Sequence, residues 1–71
     1  MPKVYTPKQA ISKFKKLGFS EDRQSGSHKI FFNLKTNARA VIPYHLKEIP
    51  KGTMSAILRE AKISKVDFEK A

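Results

Sequence analysis

Two histidines, His28 and His45, are the side chains of this sequence whose ordinary pKa, near 6.5, lets them give or take a proton at neutral pH. His28 closes the turn-like Gly26-Ser27-His28 and opens the strand-like Lys29-Ile30-Phe31-Phe32. An imidazole so placed suits one reaction in particular. RNA is cut without a metal when its 2′-OH loses a proton and attacks the adjacent phosphorus, expelling the 5′-oxygen. A positioned base or acid contributes about 10²–10⁴-fold to such a step, and nearby cations stabilise charge on the scissile phosphate. Arg23, Lys47 and Lys51 are the candidate phosphate contacts. Ser27 and Lys29, the neighbours of His28, complete the candidate RNA-binding set, although on a strand the Lys29 side chain alternates to the face opposite His28. The competing reading of His28 is an ordinary half-exposed strand histidine. His45, beside Pro43 and Tyr44, is expected to pack or cap.

Other chemistries find little support. Glu21 and Asp22 are adjacent, so on a strand they point to opposite faces, and the remaining acids are isolated. No carboxylate pair is therefore set up for acid–base work. The two histidines stand 17 positions apart, with no cysteine and no acid cluster near them, which matches no metal-ligand spacing. Neither a metal nor a cofactor is implied. Lys51-Gly52-Thr53 has the wrong order for a phosphate-binding loop and lacks the upstream glycines. A helix starting there could hold one phosphate through its backbone N–H groups, with Lys51 beside them; a plain helix start is the alternative.

Charge points the same way as His28. Fifteen Lys and Arg face six Asp and Glu, a net charge of +9. Residues 1–20 carry Lys3, Lys8, Lys13, Lys15 and Lys16 without an acid, and no acid lies between Asp22 and Glu48. Such an excess costs self-repulsion in a compact fold and makes a polyanion the expected partner. Phosphate contacts position a nucleic acid without specifying its sequence. At 71 residues the chain is expected to form one domain, residues 1–71. A chain of this size buries only about 60% of its unfolded surface, so chemistry belongs on an open surface. No apolar run approaches the roughly 20 residues of a membrane span, and the N-terminus lacks a signal-peptide core. Without cysteine, the chain suits a reducing cytoplasm.

The elements that must hold these side chains are readable from period and punctuation. Thr6, Pro7 and Gln9 form a helix start with a capping box. Ala10, Ile11, Phe14 and Leu17 make the apolar stripe that follows, with Lys8, Ser12 and Lys15 opposite, Lys13 and Lys16 on the flanks, and Gly18 as the stop. A polar strand is expected over residues 19–24, a turn at Ser25-Gly26, and a second strand over 27–34. Lys35-Thr36-Asn37 is the next turn, and residues 38–43 form a third strand that Pro43 stops. Connections this short force antiparallel pairing. The middle strand is apolar on both faces, so alternation leaves the side that His28 occupies open. After a loop over 44–50, a second helix buries Met54, Ile57, Leu58 and Ala61, with either Pro50 as its first residue or Thr53 as its N-cap. Ser64 and Asp67 signal a short last helix anchored by Phe68. Both long stripes need one sheet face for burial, which gives a two-layer α+β sandwich.

The spacing Arg23-Gln24-x-Gly26-Ser27-His28-x-Ile30-Phe31 resembles that of the HicA-type toxins of bacterial toxin–antitoxin pairs. So do Val41-Ile42-Pro43-Tyr44-His45, Ile49-Pro50-Lys51-Gly52-Thr53, Ile57-Leu58-Arg59-Glu60-Ala61, and the helix end Lys16-Leu17-Gly18-Phe19. The resemblance covers nearly the whole chain. It implies a double-stranded-RNA-binding-domain-like fold, α-β-β-β-α with a short C-terminal helix, and an mRNA-cleaving toxin neutralised by a HicB-type antitoxin. The family's essential histidine corresponds to His28, and the family supplies no settled second catalytic group. The polar first strand departs from the pattern, since Glu21-Asp22 brings acid near the proposed site. A non-catalytic RNA-binding module of the same fold, with a structural His28, is the second hypothesis.

Overall fold

The computed structural model describes residues 4–71; Lys3, counted above among the N-terminal cations, lies outside the described residues. The elements run α1 (Pro7–Lys16), β1 (Ser20–Ser25), β2 (His28–Asn33), β3 (Ala38–Pro43), α2 (Lys51–Ala61) and α3 (Lys65–Lys70). The strands form an antiparallel sheet in the order β1-β2-β3. This is the α+β, double-stranded-RNA-binding-domain-like arrangement, with the helices on one face of the sheet.

Local chemistry explains where each element begins and stops. Thr6 and Gln9 close a reciprocal capping box, each side chain bonded to the other's backbone N–H at 3.1 and 3.0 Å. At the far end Gly18 takes φ 98°, and the N–H groups of Gly18 and Phe19 donate to the carbonyls of Lys15 and Phe14. This paired return needs a residue with positive φ after the last helical turn, and it carries an apolar contact with it. Phe19 supplies that contact, its ring 5.1 Å from Phe14. Phe19 is thus buried in the core and precedes β1, whereas the sequence expectation made it the first residue of an exposed strand.

The register decides the face of every strand residue. Lys29, Phe31 and Asn33 of β2 stand opposite Ile42, Ala40 and Ala38 of β3. Phe31, Ala38, Ala40 and Ile42 join Ala10 and Phe14 of α1 and Met54, Ile57, Leu58 and Ala61 of α2 in one core. His28, Ile30 and Phe32 therefore occupy the opposite, open face. In β1 the register jumps between Glu21 and Arg23, leaving Asp22 as an extra residue. Glu21, opposite Phe31, takes the helix-side face; Arg23, opposite Ile30, takes the open face.

Two further boundaries correct the sequence expectation. Leu34 is 88% exposed and belongs to the turn, because the β2–β3 pairing closes at Asn33–Ala38. Asn37 ends that turn with φ 58°, the left-handed conformation Asn tolerates. Pro50 is neither the first residue of α2 nor a bystander to a Thr53 cap: it occupies the N-cap itself, with no side-chain cap. A left-handed Lys62 (φ 60°) ends α2. Ser64 caps α3 by accepting from the N–H of Asp67, and Phe68 packs 5.0 Å from the rings of both Tyr5 and Phe14.

Candidate functional site

His28 is exposed at the start of β2, directly after the two-residue turn Gly26-Ser27 that joins Ser25 to it. Gly26 has φ 59° and Ser27 does not share its positive φ. Positive φ at the first central residue alone defines a type II′ hairpin turn, which suits the twist of the strands and favours glycine. The turn delivers His28 to the open face, in register with Pro43 on the other side.

That register brings the two histidines together. The Tyr44 N–H donates to the Ser27 carbonyl at 2.8 Å, extending the β2–β3 pairing past His28, and the Leu46 N–H turns back to the Pro43 carbonyl at 3.3 Å. The following residues are tied down at the other end, where the Ile49 N–H donates to Tyr5 at 2.8 Å and the Ile49 side chain is fully buried. His45 sits on this short bracket. Its ring centroid lies 5.8 Å from that of His28, at an interplanar angle of 66°. Among the described residues neither ring hydrogen-bonds a partner, and both are exposed. The expectation that His45 packs or caps gives way to an exposed ring beside His28. The signal for this pairing is tertiary, lying in the β2–β3 register and in the Tyr5–Ile49 bridge.

The cations divide into groups. Arg23 shares the open face with His28, two register pairs along β1, and lines a shallow depression of about 390 Å³ with Ile30, Phe32, Arg39 and Lys62. Asp22 lies 3.9 Å from Arg23, both well exposed; an exposed pair at that distance is weak and leaves the guanidinium available. Lys29 is on the helix-side face, as alternation requires, and its ammonium sits 4.4 Å from the centre of the Tyr44 ring. Lys47 lines a second depression of about 290 Å³ with Tyr44, Leu46, Thr6, Pro7 and Lys8. The structure thus adds Lys8, which helical spacing places opposite the apolar stripe, to the histidine end. Ser27 is exposed in the turn. Lys51, by contrast, is grouped with Tyr5, Met54, Ser55, Lys65 and Phe68 on the α2–α3 side, and no hydrogen bond or ion pair joins it to either histidine.

Lys13 leaves the free cationic surface altogether. Its ammonium donates to the backbone oxygens of Glu69 and Ala71 at 3.2 and 2.9 Å, and lies 5.6 and 5.7 Å from the ring centres of Tyr5 and Phe68. It holds α3 against α1. Among the described residues no group of three or more His, Asp or Glu is placed to hold a metal ion, and no helix is long and apolar enough to cross a membrane.

A basic α+β domain with an exposed histidine pair at one end of its open sheet face is the class that this geometry defines. The family model for the HicA toxin of bacterial toxin–antitoxin systems matches residues 7–63, a span containing both histidines and every candidate cation. The chain belongs to the HicA toxin family. A search of curated proteins found no match. Membership makes it a toxin-type protein with an antitoxin partner; α3 lies outside the matched span.

Proposed function

We propose that this chain is a metal-independent endoribonuclease, one domain over residues 1–71, that cleaves mRNA in the cytoplasm with His28 as general acid or base. The observation that carries this reading is the placement of His28: exposed, unbonded, fixed by a glycine turn on the open face of a strongly basic domain, within the span that matches the toxin family. Arg23 contacts phosphate from the same face, while Ser27, Lys29 and Lys47 line the turn and loop around the histidine. Lys51 binds RNA further along, at the start of α2. Glu21, opposite Phe31, faces the helix side, away from the open face that carries His28.

A HicB-type antitoxin is the proposed partner, acidic where it covers the basic surface and blocking RNA by charge as well as by bulk. The test of function incubates a long unstructured RNA with the wild type in EDTA, beside His28→Ala and an all-DNA analogue. Fragments are expected from RNA with the wild type alone. Intact RNA with salt-sensitive binding would instead assign a non-catalytic RNA-binding module.

A further inference from the structure

Cleavage of RNA by its own 2′-OH moves two protons, one off the attacking oxygen and one onto the leaving oxygen. A single imidazole leaves one of these transfers to water. The bracket between β3 and α2 places a second imidazole beside the first, and we propose that His45 is the other proton-transfer group of the site. This rests on the endoribonuclease reading above.

The geometry supports the pairing in three ways. The centroid separation of 5.8 Å is too long for a direct hydrogen bond and short enough for both rings to reach one phosphodiester. Each would stand within hydrogen-bond reach, about 2.6–3.2 Å, of one of its two reacting oxygens. The edge-on angle of 66° also keeps the rings from stacking face to face. Finally, His45 is not on a loose loop: Tyr44 is bonded to Ser27 at 2.8 Å and Ile49 to Tyr5 at 2.8 Å, so both ends of its segment are fixed to the fold. Lys29 over Tyr44 and Lys47 beyond it bring positive charge to the same end.

The step balances. The neutral ring accepts the 2′-OH proton as the 2′-oxygen bonds to phosphorus. The P–O5′ bond breaks with its electron pair on the 5′-oxygen, which takes a proton from the protonated ring. The products are a 2′,3′-cyclic phosphate and a 5′-hydroxyl. The pair's net charge is unchanged, the proton having passed from one ring to the other.

A sulfur leaving group separates the two roles, because a thiolate departs without protonation. The wild type is first used to map a cleaved position in an RNA oligonucleotide. That oligonucleotide is then made with sulfur replacing the bridging 5′-oxygen there, and both substrates are given to the wild type, His28→Gln and His45→Gln. Each variant is expected to lose about 10²–10⁴-fold on ordinary RNA, and one of the two, the variant lacking the acid, to regain most of its rate on the sulfur substrate. Recovery of one variant also shows that it is folded. Wild-type rates from His45→Gln on ordinary RNA would overturn the role of His45 alone. So would rescue of both variants or of neither, because the paired mechanism makes one histidine the acid and the other the base. A wild type that cuts no RNA would overturn the endoribonuclease reading and this one with it.

Discussion

A side chain can act on a phosphate only if nothing in the fold already holds it, and the basic residues here divide on that criterion. Lys13 is spent on the carbonyls of α3 and on two aromatic rings, although helical spacing alone put it on a solvated flank. Arg23 has only a 3.9 Å neighbour in Asp22 and stays available. Arg23→Gln is therefore expected to weaken binding of single-stranded RNA and to lower the slope of log K against log salt by about 0.7, the share of one phosphate contact. Lys13→Gln is expected to leave that slope alone while lowering the unfolding midpoint. Equal slopes for Arg23→Gln and the wild type, in a salt titration, would remove Arg23 from the interface. Tyr5 supplies a test of a different kind. Burial first, and the Glu69 carboxylate second, raise its phenol above the ordinary 10.0, so the fold favours the neutral form. The stabilisation is complete below the unfolded pKa, about 10, and is lost as pH rises through the higher folded value. Urea midpoints between neutral pH and pH of about 11 should fall more steeply for the wild type than for Tyr5→Phe. Parallel curves would contradict the shift.

At the scale of elements, the parts legible in the sequence are those decided within one turn of chain. The Thr6–Gln9 box, the α1 stripe, the Gly26 turn and the Ser64 cap are all local, and each stands where spacing placed it. What needed the fold was register. The apolar run Ile30-Phe31-Phe32 fits either side of a sheet, and only pairing with Ala38, Ala40 and Ile42 turns Phe31 inward and His28 outward. The end of α2 was hidden for another reason, since a lysine rather than glycine takes the left-handed position there. Asn33 was hidden too, a polar residue 5% exposed at the end of β2. Its amide donates to the Leu17 carbonyl at 3.3 Å and accepts from the Lys35 N–H at 2.9 Å, tying α1 to the β2–β3 turn. Asn33→Leu is expected to cost about 1–3 kcal/mol by stranding those backbone groups. Gly18→Ala adds a methyl 3.3 Å from the same amide at a residue with φ 98°, and should destabilise as well. Denaturant titrations check both, and a neutral Asn33→Leu would mean that water replaces the amide without loss.

For the whole molecule, the buried core and the proposed site draw on different residues. A small core in which Phe14, Phe31, Phe68, Ile42 and Ile49 are fully buried carries stability. Truncating one of its rings, as in Phe68→Ala, is expected to cost about 3–5 kcal/mol, much of the 5–15 kcal/mol typical of a domain. Thermal unfolding checks this, and it also tests whether α3, outside the family match, is integral to the fold. The charge of +9 meets only two ion pairs among the described residues, at 3.9 and 3.7 Å. It therefore remains largely open to a polyanion or to an acidic antitoxin. On the proposed reading both partners draw on this surface, so the toxin–antitoxin complex is expected to lose RNA cleavage, and a ternary complex that still cuts would separate the two surfaces.

The most direct measurement of the central claim is the chemistry of the cut ends. RNA incubated with the wild type in EDTA is expected to yield fragments with 2′,3′-cyclic phosphate and 5′-hydroxyl termini, and His28→Ala to yield none. Fragments ending in 3′-hydroxyl and 5′-phosphate, or equal cleavage by His28→Ala, would contradict it.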